Sequence, residues 1–350
     1  MDLFTPIVSP DRYHPNFRAA LTEFGKAERD VISGWAEGFV DRDHKFVQEF
    51  QTTFNSSFWE LYLHALFRRL NFSIDWSQAA PDFQLNKGGT LLNIEATTAN
   101  AAQGKPNEWD RDLSSVAVSA ISIPKINHEA MIRLSNAITA KHKRFRDSYG
   151  KLNHVGGRPF VVAVSPFEQP FFNLQHDRPI RALLYDYYVD EEAFQKDPAK
   201  YPDGPPGISL GAVTKDSGAE IQLGFFNSDA MEEISAVIFS CIATWGKSNA
   251  LSVGDAKGSR FDFVRTDATG RPVPQTNVAK ADYHESLEDG LQVFHNPYAR
   301  YPLPPDLFRA EGVVQHYFDE DRGDWVYEGI EGALTCRFVR SGFPTTLAGS

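Results

Sequence analysis

Three acidic residues stand at positions from which their carboxylates can meet. Glu60 lies in a stretch with helical periodicity, Asp82 follows Pro81 at the start of a strand-like segment, and Glu95 stands near the end of the next such segment. A short hairpin between Asp82 and Glu95 would bring both carboxylates to one end of a sheet. Carboxylate oxygens so placed suit Mg²⁺, which takes further ligands from water and substrate phosphate. Such an ion can polarise a phosphodiester and activate a bound water, so the spacing predicts metal-dependent phosphodiester chemistry.

Each of the three acids also has a purely structural interpretation. Glu60 can be an exposed helix residue, and Asp82 can be a turn residue after Pro81. Glu95 is the hardest to explain in this way, because it follows the apolar stretch 91–94, Leu-Leu-Asn-Ile, and precedes an alanine. A charge inside an apolar strand is costly unless a metal or another partner compensates it.

The elements that must position these acids follow from hydrophobic periodicity. Apolar residues at three- and four-residue steps predict helices over 16–39, 41–70 and 128–149. Short strands are predicted over 72–76, 82–85, 90–97 and 159–164, with the hairpin turn Asn-Lys-Gly-Gly at 86–89. The order of helix, three strands, helix and strand predicts an α/β fold with a mixed central sheet flanked by helices. The region after about residue 270 is expected to be rich in loops.

A basic segment interrupts an acidic chain. The net charge of the 350 residues is −11, which should repel nucleic acid and anionic membranes over most of the surface. Between Arg133 and Arg158, however, seven basic residues face one acid, so this segment carries about +6. It can form a local face for a phosphate backbone, with Arg133, Lys143, Arg144 and Arg146 as candidate nucleic-acid contacts. The alternative is a solvated helix face with no ligand.

The acids and the element order resemble the PD-(D/E)XK nuclease superfamily, which has the restriction-endonuclease-like fold. The similarity covers about residues 41–166. It implies that Glu60 is the acid of the opening helix, that Pro81-Asp82 is the Pro-Asp of the motif, and that Glu95 is the acid of the second motif strand. It also implies a Mg²⁺ ion, or Mn²⁺ in its place, held by Asp82, Glu95 and Glu60, and DNA as the substrate.

The lysine of the family pattern is displaced in this chain. The pattern places it two residues after Glu95, where this chain has Thr97. Some members of the superfamily supply the lysine from the following helix, and the segment 133–141 resembles such a helix. The resemblance therefore implies Lys141 as the catalytic cation, with Lys143 as the alternate. Either lysine would orient the attacking water or stabilise the charge on the phosphate.

The domain organisation expected from these patterns has three parts. They are an N-terminal helical segment over 1–40, a nuclease-like core over 41–170, and a C-terminal elaboration over 171–350 that completes the sheet.

The first residues lack the basic start and apolar run of a secretion signal, and no apolar stretch is long enough to span a membrane, so a cytoplasmic protein is expected. The two cysteines, Cys241 and Cys336, are too few for a disulfide framework and are expected to be buried thiols.

Three functions remain open at this level. The first is a metal-dependent nuclease that hydrolyses DNA, with a restriction or genome-defence role implied by the resemblance and with a homodimer or a partner subunit as possible assemblies. The second is a nuclease-like fold that no longer cleaves and binds nucleic acid or protein instead, which Thr97 and the overall acidity favour. The third is an interaction protein with an unrelated α/β fold. No P-loop, dinucleotide-binding glycine pattern or serine-hydrolase motif follows a strand, so those classes lack local support.

Overall fold

The computed structural model describes residues 1–110 and 121–341. Residues 111–120 of the expected core and residues 342–350 of the expected C-terminal elaboration lie outside the described residues. Eight α-helices are present in the described part of the chain: α1 Pro15–Ala20, α2 Lys26–Trp35, α3 Phe46–Thr52, α4 Asn55–Arg69, α5 Ile123–Asp147, α6 Arg178–Tyr185, α7 Glu191–Lys196 and α8 Trp245–Leu251. None of the helices described is long and apolar enough to cross a membrane.

Strands outnumber helices and continue to the end of the described chain. They are β1 Ser73–Asp75, β2 Phe83–Lys87, β3 Thr90–Asn100, β4 Phe160–Phe167, β5 Tyr188–Val189, β6 Gly207–Ile208, β7 Ala212–Thr214, β8 Glu220–Gln222, β9 Ala236–Phe239, β10 Ser259–Thr266, β11 Pro272–Ala279, β12 Leu291–His295, β13 Val313–Asp319, β14 Asp324–Glu328 and β15 Leu334–Ser341. The expectation of a loop-rich region after residue 270 is wrong, because five strands lie there.

Eight of these strands form one mixed sheet with the order β1-β2-β3-β4-β9-β12-β13-β14. The first three strands are an antiparallel meander, and β3, β4 and β9 run parallel to one another. β12 is antiparallel to β9 and parallel to β13, and β14 is antiparallel to β13. The predicted mixed central sheet is therefore confirmed, and strands from beyond residue 171 supply half of it. A second sheet of three strands has the order β11-β10-β15.

Helices cover both faces of the large sheet. On one face, α2, α3 and α4 pack over inward residues of β3 and β4 such as Ile94 and Ala163. The Trp59 indole of α4 donates a hydrogen bond to the Ala163 carbonyl at 3.0 Å. On the other face, α5 and α6 pack over the alternate positions, including Val162. Because successive strand residues point to opposite faces, Glu95 lies on the face that α5 covers.

The N-terminal helices are shorter than predicted. The helix expected over 41–70 is two helices, because Phe54 adopts a positive φ of 49° between α3 and α4. The helix expected over 16–39 is likewise divided into α1 and α2. Asp41 accepts hydrogen bonds from the backbone N–H groups of Lys45 and Phe46, so it caps the start of α3.

A buried ionic cluster joins the small sheet to the rest of the molecule. The Lys247 ammonium of α8 lies 2.7 Å from the Glu285 carboxylate, and both side chains are fully buried. Arg337 of β15 forms a second ion pair with the same carboxylate, and the Tyr283 hydroxyl donates to it at 2.5 Å. Charges taken out of water need this degree of compensation.

The two cysteines are free; Cys241 is buried and Cys336 is half-buried.

Candidate active site

The β2–β3 hairpin brings Asp82 and Glu95 together. Phe83 pairs with Ile94 across the hairpin, so Asp82, one residue before β2, lies opposite Glu95 on the same face. The Asp82 Oδ2 atom accepts a hydrogen bond of 2.7 Å from the backbone N–H of Ala96, which fixes this carboxylate beside β3. The predicted convergence of the two acids across a hairpin is thus present.

Glu95 has two carboxylate oxygens in different surroundings. The residue is 1% exposed. Its Oε1 atom accepts hydrogen bonds from the Lys141 ammonium at 2.8 Å and from the Tyr149 hydroxyl at 3.3 Å. Its Oε2 atom is buried and has no hydrogen-bond partner among the described residues. A buried carboxylate oxygen without a donor is costly, so Oε2 is the place where a cation or a donor from a ligand would be stabilised.

Helix α5 carries Lys141 to this position. Leu134 and Ile138 are fully buried and seat the helix on the sheet. Lys141 lies three residues after Ile138, on the same side of the helix, and its side chain is only 20% exposed. Thr97, where the family pattern has its lysine, is half-buried on β3. The ammonium group beside Glu95 therefore comes from α5.

The surroundings of Asp82 favour its protonated form. Burial and then the charge of Glu95 raise the pKa of Asp82 to about 6, although Lys141, the Ala96 N–H and Arg42 act in the opposite direction. Burial also raises the pKa of the Tyr149 hydroxyl, with the Glu95 charge adding to it, so this hydroxyl remains protonated and donates. An excess of negative charge is thus concentrated at the hairpin end.

Glu60 approaches the same acids from the other helix layer. It is half-buried on α4. Its pKa is raised well above the ordinary value, first by burial and then by the charges of Asp82 and Glu49, while Lys141 and Arg42 oppose the shift. The mutual influence of Glu60, Asp82 and Lys141 places all three in one electrostatic environment.

Arg42 belongs to the same environment and was not expected from the sequence. Its guanidinium donates to the backbone carbonyl of Asp82 at 3.0 Å and to that of Pro81 at 3.4 Å, and it lies 5.5 Å from the centre of the Trp76 ring. It therefore holds the segment that leads into β2. In the sequence its two acidic neighbours indicate only a helix start, so its contact with a segment forty residues later has no local signal.

The donor set suits a hard divalent cation held by two carboxylates. Across residues 1–110 and 121–341, no three His, Cys, Asp or Glu side chains form a group that could hold a metal ion. Asp82 and Glu95 are the two acids that the hairpin brings together, and a metal contact from Glu60 stays a prediction. Mg²⁺ is commonly held by one or two carboxylates with water completing its shell. The buried Oε2 of Glu95 and the neighbouring Asp82 match that requirement.

The basic residues of α5 divide into two groups. Arg133 is tied down, since its guanidinium donates to the Asn100 carbonyl at 2.8 Å. Lys143, Arg144 and Arg146 are exposed on the helix surface. Arg144 lies 4.0 Å from the Glu95 carboxylate and 5.0 Å from the centre of the Tyr149 ring, which puts this exposed group next to the acids.

Comparison with known proteins adds no relative. No protein family, curated protein or solved structure matches the chain. The evidence for a function is therefore the arrangement of Asp82, Glu95 and Lys141 and the order of the surrounding elements.

Proposed function

We propose that this protein is a divergent nuclease of the PD-(D/E)XK superfamily that hydrolyses DNA phosphodiester bonds with Mg²⁺. The element order supports the proposal. α4 is followed by the antiparallel strands β1, β2 and β3, then by α5, then by β4 parallel to β3. This is the helix, meander, helix and strand order that the superfamily core would require.

One observation carries the proposal: the Lys141 ammonium lies 2.8 Å from the Glu95 carboxylate. These residues are separated by 46 positions, and their contact supports Lys141 as the displaced lysine of the superfamily pattern. A lysine at this point can hold a water or stabilise a phosphate oxygen, because it offers three donors and a full positive charge.

The acids have distinct roles in this proposal. Asp82 and the Oε2 atom of Glu95 would hold Mg²⁺, which would polarise the phosphodiester and lower the pKa of a bound water. Glu60 would support the cluster from α4. Lys141 would orient the attacking water or offset charge on the phosphate, and the Tyr149 hydroxyl would keep the Glu95 carboxylate in place. A restriction or genome-defence role in the cytoplasm would follow from the resemblance.

The second candidate is a nuclease-like protein that binds nucleic acid or protein without cleaving. Thr97 at the usual lysine position favours it, and so does the ion pair itself, because Lys141 already neutralises Glu95. The exposed cations Lys143, Arg144 and Arg146 serve either function.

Cleavage assays on plasmid and short single-stranded DNA test the choice. The purified protein is incubated with Mg²⁺, Mn²⁺ or EDTA, beside the variants Asp82→Ala, Glu95→Ala and Lys141→Ala. The matched control is Lys196→Ala, which removes an equal charge from an exposed position on α7. We expect metal-dependent cutting that falls about 100-fold or more in the three variants and persists in the control.

Two outcomes contradict the nuclease proposal. Cutting that survives both Asp82→Ala and Glu95→Ala would assign the activity to a contaminant or to another site. Wild-type protein that binds DNA in a filter or anisotropy assay and does not cut with either metal would establish the binding function instead.

A further inference from the structure

A cavity that combines apolar and polar side chains lies away from the acidic site. It has a volume of about 320 Å³ and opens between α6, β12, β13 and β14. Its polar and aromatic wall is formed by Asp177, Arg181, Tyr187, Gln292, His316 and Tyr327. This volume is in the range of small-ligand pockets. None of these residues has a role in the proposed nuclease site.

Two side chains in this cavity are buried with polar atoms that the protein does not satisfy. His316 and Gln292 are each 3% exposed. Neither ring nitrogen of His316 has a hydrogen-bond partner in the described part of the chain, and neither does the Gln292 Oε1 atom. Native proteins seldom leave such groups unsatisfied, so each calls for a partner that the described residues do not supply.

His316 is held rigidly and is neutral. Its ring stacks on Phe294 with centroids 4.5 Å apart and an interplanar angle of 7°, and Tyr327 meets it edge-on at 5.0 Å. Burial, and then the charge of Arg181, lower the pKa of His316 to about 3. A neutral imidazole has one donor nitrogen and one acceptor nitrogen. Together with the Gln292 carbonyl oxygen, the floor of the cavity therefore offers a neutral pattern of donor and acceptors.

The charges in the wall already balance one another. Asp177 forms an ion pair with Arg181 at 3.0 Å, and its other carboxylate oxygen lies 2.9 Å from the Nδ1 atom of His176. The Arg181 guanidinium in turn lies 4.4 Å and 5.0 Å from the ring centres of Tyr187 and Tyr327. A small anion would gain little binding energy from Arg181, because Asp177 already neutralises its charge. The aromatic rings and the guanidinium plane instead favour a flat ligand that stacks.

We propose that this cavity binds a nucleobase, whose hydrogen-bonding edge meets His316 and Gln292 and whose ring lies against the aromatic wall. Proteins that read an extruded base use this combination of edge hydrogen bonds and aromatic stacking. The same chemistry belongs to a free nucleoside and to a base extruded from a polynucleotide. The binding experiment separates these two sources.

The cavity and the acidic site share one row of the central sheet. The strand register joins Glu95 to Val162, Val162 to Val237, Val237 to Phe294 and Phe294 to His316, all on one face. Four strand spacings separate the ends by about 19 Å. That span corresponds to about six base pairs of B-DNA. The bound base could belong to the polynucleotide that is cleaved, and this step rests on the proposed nuclease function. In that case, base recognition and cleavage would occur at separate positions of one strand.

Calorimetric titration of the full-length protein tests the cavity. The probes are the common nucleosides and a single-stranded oligonucleotide of mixed sequence, all in EDTA so that no cleavage takes place. The variants are His316→Phe, which keeps a stacked ring, and Gln292→Leu, which keeps the volume. Tyr317→Phe is the control, because it removes a hydroxyl from the next residue of β13, on the opposite face.

We expect the wild-type protein to bind at least one nucleoside or the oligonucleotide. Each cavity variant should weaken this binding about tenfold or more, which is the effect of losing one buried hydrogen bond, while the control should not. Nucleoside binding would identify a free ligand, and binding of the oligonucleotide alone would identify a polynucleotide. No binding of either probe, or equal binding by all variants, would overturn the proposal. Because the assay needs no metal and no cutting, its result is independent of the nuclease test.

Discussion

Both proposed functions depend on the side-chain carboxylate of Glu95. One of its oxygens has an ammonium and a hydroxyl as partners, and the other is buried with no partner among the described residues. An apolar strand accepts such a residue only when its charge is compensated. In this protein Lys141 supplies that compensation, so the ion pair has a structural role in addition to any catalytic one.

The structural role predicts a stability cost when the pair is broken. Lys141→Met should lower the free energy of unfolding by about 2 kcal/mol at pH 7, because Glu95 is left charged and buried. The double variant Glu95→Gln, Lys141→Met should lose less than the sum of the two single changes. Urea denaturation of the four proteins measures this coupling. Lys143→Met, an exposed control, should change stability by less than about 0.5 kcal/mol, and additive single changes would contradict the prediction.

The raised pKa of Asp82 predicts a pH-dependent response to magnesium. The folded state keeps a proton on Asp82 up to a pKa of about 6, whereas the unfolded state releases it near pH 4. The stability of the metal-free protein should therefore fall as pH rises through this window. Mg²⁺ needs the ionised carboxylate, so it should stabilise the protein at pH 7.5 and not at pH 5.

Thermal unfolding with and without saturating Mg²⁺ checks this expectation. We expect Mg²⁺ to raise the Tm of wild type by about 2 °C at pH 7.5. Asp82→Asn should abolish the increase, and the exposed control Asp203→Asn should retain it. An increase of equal size at pH 5 and pH 7.5 would show that Mg²⁺ does not bind through Asp82.

At the scale of elements, the two sides of α5 have different surroundings. Its buried side holds Lys141 against the sheet, and its exposed side presents Lys143, Arg144 and Arg146 to solvent. A phosphate backbone that approached the acids would meet these cations first. The helix would thus both complete the acidic site and guide an anionic polymer to it.

Removing the exposed cations should weaken DNA binding in a salt-dependent way. The triple change Lys143→Ala, Arg144→Ala, Arg146→Ala should reduce the slope of log affinity against log salt by about 0.9 for each phosphate contact that is lost. Fluorescence anisotropy in EDTA over a range of salt concentrations measures this slope. The control removes three exposed lysines on other elements, Lys26, Lys196 and Lys200. Equal effects of the two triple changes would indicate only a general charge effect.

The elements near the site were predictable because their signals are local. The double-glycine turn before Thr90 indicates the β2–β3 hairpin, and the apolar stripe with Leu134 and Ile138 indicates α5. The break between α3 and α4 was missed because phenylalanines recur at helical spacing through Phe54, whose ring is buried and whose φ is positive. The helix-capping residue types beside it, Thr53 and Asn55, were the local signal of the interruption.

At the scale of the whole molecule, the cluster of Lys247, Glu285 and Arg337 joins β15 of the small sheet to α8. Burial opposes ionisation of Glu285, but the charges of Arg337 and Lys247 prevail and lower its pKa. Two buried cations therefore depend on one carboxylate. Stability from this lowered pKa should be present above the ordinary pKa of glutamate and should be lost as pH falls below it.

Glu285→Gln should therefore be among the most damaging single substitutions in the chain. We expect it to lower the free energy of unfolding by about 3 kcal/mol, since it leaves two buried cations with too little negative charge. Chemical denaturation at pH 7 measures the loss, with the exposed Glu311→Gln as the control. A loss below about 1 kcal/mol would show that the cluster adjusts without its carboxylate.

Long-range arrangement accounts for most of what the sequence did not reveal. His316 and Gln292 lie on strands that pair parallel from separate segments, and Arg181 reaches them from α6. Each residue alone is an ordinary polar position with no motif. Their common cavity arises only when β12 and β13 extend the sheet beyond β9, and local periodicity does not specify which distant strands become neighbours.

The two ends of the central sheet determine how copies of this protein can associate. β1 has three residues, and β14 begins and ends with an acid, Asp324 and Glu328. Very short or charged border strands discourage a second chain from adding to a sheet. A pair of molecules that cut both strands of a duplex would accordingly meet through helices or loops, so the spacing of the two cuts would depend on those surfaces.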